Sequence, residues 1–294
     1  MIKINNILVA VELDKESEGV IEYGITLGLI LDANVRCLHV SRPEASRLIY
    51  DEEGILLDNY NDSLDDVVVA DIEDMVDEDL QKLRAMVVTV MNKLSIVEHT
   101  VIANVRSDFA VAGIISEAEE TAADLIIVGA HVDYRRQDMG VSNLSRSIID
   151  KSTKSVVVVP STYGNRNLDH ICMFINFEFG ELTMIQDMIQ VATNNGIHLS
   201  FIHILDIDEK VVAVEKKLKV YQRLFLQDEE HNLISFTMKT GNIDHIIDDL
   251  TNDMDVDLIG LKTQKRHWNL FGLQKAFDTS VLNHIKVPLY IWRR

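Results

Sequence analysis

Short apolar runs alternate with longer amphipathic stretches along this chain. In the first half, strand-length runs fall near 5–11, 35–40, 98–104, 124–128 and 155–159, and helix-length stretches near 15–31, 70–94, 107–121 and 142–152. Uninterrupted runs such as LIIV (125–128) and VVVV (156–159) are what parallel strands covered on both faces look like. Strand and helix in alternation imply βαβ units with right-handed crossovers. A chain of 294 residues is long for one such domain and comfortable for two.

The pattern also repeats. ILVAVEL (7–13) matches ICMFINF (171–177), and the same offset lays CLHV (37–40) over FIHI (201–204), with His39 on His203. Helix-length stretches, 15–32 and 179–196, lie between these landmarks without a gap. Further on, ADLIIVGAH (123–131) parallels VDLIGLKT (256–263), and VVVVP (156–160) parallels LYIWR (289–293). An internal repeat of this kind fixes the architecture before any motif does. The expectation is an α/β chain of two tandem doubly wound, Rossmann-like domains, 1–160 and 168–294. Each would have a five-stranded, mainly parallel sheet and about four helices. STYGNRNLD (161–169) has linker composition. The acidic segment 42–69 has no counterpart of equal length and reads as an insertion.

Composition narrows the function. A net charge of −19 argues against nucleic acid, whose affinity comes from Lys and Arg, and against an anionic membrane. Cys37 and Cys172 each sit in an apolar run, which suits buried thiols and supplies neither a disulfide framework nor metal spacing. No signal-peptide pattern or membrane-length apolar run is expected, so the cytoplasm is the expected compartment.

In an open parallel sheet, ligands bind beyond the carboxyl ends of the strands at the topological switch point. In the first copy those ends are Val11-Glu12, Val40-Ser41 and Val128-Gly129. In the second they are Ile175-Asn176, Ile204-Leu205 and Ile259-Gly260. The order of strand, polar residue and helix, then LHV, then DLIIVGAH, a loop and a helix leading into VVVVP resembles the universal stress protein family. The resemblance runs over nearly the whole chain, twice. It implies a stress-linked regulatory protein rather than an enzyme, with dimerisation through edge strands. Two fused copies would satisfy that pairing internally through 155–159 and 289–292, giving a pseudo-dimer; a homodimer or a protein partner is the alternative.

The family's nucleotide-binding members end the first strand in an acidic residue. They then carry a loop of Gly, two residues, Gly, nine residues, Gly and Ser or Thr. On that pattern the residues implied for an ATP or other adenine-nucleotide site are Val11, Glu12, Val40, Gly129, Ser142 and Asn143. Val132 replaces the second glycine and Ser142 the third; Ser142 and Asn143 remain good helix N-caps. In the second copy Gly260 reads as the kept first glycine, Thr263 and Lys275-Ala276 replace the rest, and Asn176 ends the first strand. That copy is expected to have lost the motif.

Lys262, Lys265, Arg266 and Lys275, with Trp268, Phe271 and Phe277 among them, offer either an anion or partner surface or a solvated loop. His39 and His203 are expected to be structural, because the repeat carries both. His131 lies beside the site without an orienting partner. The carboxylates of SEAEETAAD (116–124) are expected on an exposed helix face and not around a metal. Two further readings stand beside the first: an interaction module with both sites dead, using segment 42–69 or loop 262–275, and a slow nucleotide hydrolase.

Overall fold

The computed structural model describes residues 4–41, 65–96, 99–130, 143–161, 163–164, 167–206, 208–226, 232–252, 254–262 and 286–293. By its internal contacts the chain divides into two compact units, 5–129 and 130–294, the second including residues 1–4.

Unit 5–129 contains β1 (Asn6–Val11), α1 (Ser17–Leu31), β2 (Asn34–Ser41), α2 (Asp65–Lys93), β3 (Val101–Ser107), α3 (Ala110–Glu120) and β4 (Leu125–Ala130). Its strand order is β3-β2-β1-β4, parallel throughout. The chain moves outward from β1 through β2 to β3, then crosses to the other side of β1. The switch point therefore lies between β1 and β4. Every residue of β4 is buried, as its unbroken apolar run requires. On α1, a Cβ at Gly24 would collide with the Val9 side chain, so helix and strand approach closely there.

Unit 130–294 contains α4 (Asn143–Lys151), β5 (Ser155–Pro160), β6 (His170–Phe174), a 3-10 turn (Phe179–Glu181), α5 (Leu182–Asn195), β7 (His198–Ile204) and α6 (Val211–Leu226). It continues with β8 (Ile234–Lys239), α7 (Ile243–Asn252), β9 (Leu258–Lys262) and β10 (Leu289–Trp292). Its order is β5-β10-β9-β6-β7-β8. All pairs are parallel except β5 with β10, which run antiparallel with Val157 opposite Tyr290. The pairing expected between 155–159 and 289–292 is thus present. It also explains why β5, first-copy strand by sequence, clusters with the second unit.

The repeat extends to backbone conformation. Leu13 and Phe177, one offset apart, have φ of 61° and 60°; Ala122 and Asp255 have 49° and 48°. Asp32 and Gly196 both end a helix in the left-handed region, at 52° and 68°. The amides that follow, Ala33 and Ile197, each return to a carbonyl of the helix, Gly28 and Ala192, at 2.9 Å, closing the last turn as helix C-caps do. Asp124 accepts from the amides of Asn5 and Asn6 at 2.7 and 3.1 Å. Asp257 accepts from Asp169 and His170 at 2.8 and 2.9 Å. One carboxylate thus pins the start of the central strand in each copy.

The α/β class and the mainly parallel sheets are those expected. The carboxylates of 116–124 differ from expectation. Glu117 is buried, accepts from Asn104 at 3.0 Å and faces Arg36 and Arg106 at 3.5 and 3.3 Å. Arg106 also grips Glu120 with two bonds of 2.9 Å, which holds that carboxyl below its usual range. These groups tie α3 to β2 and β3; such charges stay buried because they are paired.

Candidate functional site

The crevice of the first copy forms where β1 lies between β2 and β4. Val11 pairs in register with His39, and Ala10 with Val128, so Val11, Glu12, Val40 and Gly129 come to the same end of three adjacent strands. Glu12 is exposed there, while Val11 and Gly129 are buried. A Cβ added to Gly113 on α3 would lie 3.0 Å from the Val40 side chain, so α3 packs closely on the end of β2. Asn143 opens α4. Ser142, Val132 and His131 lie outside the described residues, as do Lys265, Arg266, Lys275, the nearby aromatics and segment 42–64.

The loop leaving β1 is held from beneath. His39 donates from Nδ1 to the Val11 carbonyl at 2.8 Å, since a carbonyl can only accept. Its Nε2 lies 3.6 Å from Asp79, which also accepts from the Ser41 hydroxyl at 2.7 Å. Leu13 then takes its left-handed turn, and Asp14 accepts from the Ser17 amide and hydroxyl at 2.9 and 2.8 Å. This starts α1.

The second copy uses the same support. His203 donates from Nδ1 to the Ile175 carbonyl at 2.9 Å, and its Nε2 meets Glu209 at 2.6 Å. Burial pushes the Glu209 carboxyl up, but bonds from His203 and the Asp206 amide, with the charges of His203 and Lys217, outweigh it. The net shift is downward. Phe177 packs over His203 and edge-on to Tyr221, with ring centroids at 4.6 and 5.2 Å.

What differs is the crevice itself. Met173 on β6 pairs with Gly260, as Val9 on β1 pairs with Ile127. Counting on two residues, Lys262 stands where the first copy has Gly129. The expectation that Gly260 is the kept motif glycine is therefore corrected: Gly260 lies inside β9, where a Cβ would collide with the Met173 side chain. Core packing keeps it a glycine.

Lys262 reaches across to Glu178 at 3.2 Å in the loop after β6. Its ammonium lies so close over Gly180 that a Cβ there would be 2.5 Å away. Beneath, Glu181 accepts from the Asn176 amide at 3.0 Å and the Glu178 amide at 3.1 Å. Burial raises the Glu181 carboxyl; the two amides and Lys262 only partly offset burial and the Glu178 charge. The second crevice is thus crossed by the protein's own ion pair, where the first has a glycine.

A family model described as the universal stress protein family matches residues 3–160. The chain belongs to the universal stress protein family. Three solved structures share its fold over 99% of its length. The first is a universal stress protein from Archaeoglobus fulgidus DSM 4304 (TM-score 0.65, 16% identity, 97% of that chain). The second is a putative universal stress protein from Pseudomonas aeruginosa UCBPP-PA14 (0.62, 14%, 93%). The third is a functionally unknown protein from Pseudomonas aeruginosa PAO1 (0.62, 13%, 92%). Comparison with curated proteins gives no match.

For this universal stress protein, four of the six expected site residues, Val11, Glu12, Val40 and Gly129, converge at one strand end. The two carboxylates that pin the central strands, Asp124 and Asp257, were visible in the paired DL dipeptides but carried no motif. Lys262, expected in a loop as part of an anion or partner surface or as solvated charge, ends β9 instead; counting from Asp257 and not from the glycine puts it in the crevice. Among the described residues no His, Cys, Asp and Glu group is arranged to hold a metal ion. No described helix is long and apolar enough to cross a membrane.

Proposed function

We propose that this universal stress protein is a non-enzymatic regulatory protein of the cytoplasm that senses an adenine nucleotide, ATP or a relative, in its first copy alone. The observation that carries this reading is the exchange of Gly129 for Lys262 between equivalent strand ends. A glycine lets a ligand approach the backbone without a Cβ in the way. A lysine tied to Glu178 fills the equivalent space with a satisfied ion pair. Glu12, exposed at the end of β1, is the acceptor for a ribose or adenine donor.

Free buried thiols at Cys37 and Cys172 suit a reducing compartment. Burial pushes the Cys37 thiol up to about 12 and raises Cys172 further, so neither is a nucleophile at neutral pH. The antiparallel β5–β10 pair supports the view that the fused chain needs no second copy to cover those strands.

Mass spectrometry of small molecules released on denaturing protein never exposed to added nucleotide tests the reading. An adenine nucleotide near one per chain is the expected result. Its absence, with no thermal shift on adding ATP, would favour an interaction module in which neither copy binds a nucleotide.

A further inference from the structure

Helix α6 stands out in so acidic a protein. It carries Lys216, Lys217, Lys219 and Arg223 against one carboxylate, Glu215, while the chain as a whole has a net charge of −19. The helix at the same place in the first copy, α2, carries eight carboxylates and three cations. The repeat therefore gives no structural reason for a basic helix at this position.

The inner face of α6 is spent on the core through Val214, Leu218, Tyr221 and Leu226. Its outer face is not polar throughout. Val212, Val220 and Leu224 are 62%, 59% and 57% exposed. With Lys216 they form one row at four-residue spacing, and Glu215, Lys219 and Arg223 form the adjoining row. Lys217 is engaged elsewhere, 3.7 Å from Glu209 and 5.3 Å over the Phe177 ring. The helix is about 24 Å long at 1.5 Å per residue.

We propose that this outer face of α6 is a docking surface for an acidic amphipathic peptide segment of a partner protein. Cations alone would suit any polyanion. Three large exposed aliphatic side chains set among them require an occupant with apolar groups of its own. Carboxylates flanking aliphatic or aromatic anchors meet both demands, as in helix-in-groove and helix-on-helix recognition. At physiological salt, charges act over about 8 Å, so a segment lying along the aliphatic row is within range of Lys216 in that row and Lys219 in the adjoining one. The proposal does not depend on either crevice binding a nucleotide.

The test selects random 16-residue peptides displayed on phage against the full chain. The bound pool is then counter-selected against Lys216→Glu/Lys219→Glu and, separately, Val220→Ser/Leu224→Ser. All four positions are exposed, and matching thermal melts establish that the variants fold. Peptides lost with both variants should be rich in Asp and Glu around Leu, Ile or Phe. Their affinity should fall about tenfold or more in either variant and weaken with salt. A pool that binds both variants equally, or no enriched pool at all, overturns the proposal. Phosphatidylserine vesicles bound through these residues without such peptides would also overturn it, in favour of a membrane surface.

Discussion

Lys262 occupies on β9 the register position that Gly129 occupies on β4, and its ammonium is held 3.2 Å from Glu178. Two copies of one fold, alike down to their left-handed turns, thus diverge at the strand end where the family's ligand site is expected. Duplication allows such divergence, since one copy can be closed while the other keeps its opening.

Gly260 provides a check on which glycine matters. Gly260→Ala places a methyl group against the Met173 side chain in a packed core. We expect a loss of about 1–3 kcal/mol in stability from overpacking, measured by urea denaturation, with nucleotide binding unchanged. A change in binding without a change in stability would restore Gly260 to the site.

The two histidines should behave as structural posts. His203→Ala strips the bond to the buried Ile175 carbonyl and removes one of the partners of Glu209, which keeps the Asp206 amide and Lys217. The expected loss is about 1–3 kcal/mol, and His39→Ala should act in the same direction at Val11. Any ligand affinity should change only as far as the β1 loop loosens. Denaturation midpoints read alongside binding check this; an unchanged midpoint in both variants would contradict it.

Strands, repeat and fold class were legible because both copies keep their apolar runs at the same spacing. The insertion hid less than the glycines did. Gly260 misled because it falls two residues before the true counterpart of Gly129, and two residues preserve the pleat, so the face it presents looks right. Asp124 and Asp257 give the register directly, since each pins the amides that start its own central strand. Glu117 was misplaced because neither helix periodicity nor composition shows that Arg36 and Arg106 on neighbouring strands would neutralise it.

Two carboxylates near the second crevice should give opposite pH dependence. Glu181 is raised in the folded state, so folding takes up protons there, and its contribution falls as pH climbs above the ordinary glutamate value. Glu209 is lowered, so its contribution is present above that value and is lost as pH falls through its folded one. Relative to Glu181→Gln, the parent should therefore lose stability on going from pH 4 to pH 7. Relative to Glu209→Gln, it should lose stability as pH falls below about 4.3. Denaturation across pH 3–7 reads both slopes, and equal signs would contradict the assignment.

The Lys262–Glu178 pair should matter more to the crevice than to the fold. Lys262→Ala is expected to cost about 0–1 kcal/mol, as partly exposed ion pairs do. A loss of several kcal/mol would mean that the pair is a core element and not a plug.

Isothermal titration of ATP into the parent chain, Gly129→Lys and Lys262→Gly tests the central claim most directly. One site per chain in the parent, abolished by Gly129→Lys and retained in Lys262→Gly, is the predicted result. ATP binding that survives Gly129→Lys, or is lost in Lys262→Gly, would contradict a live first copy beside a closed second.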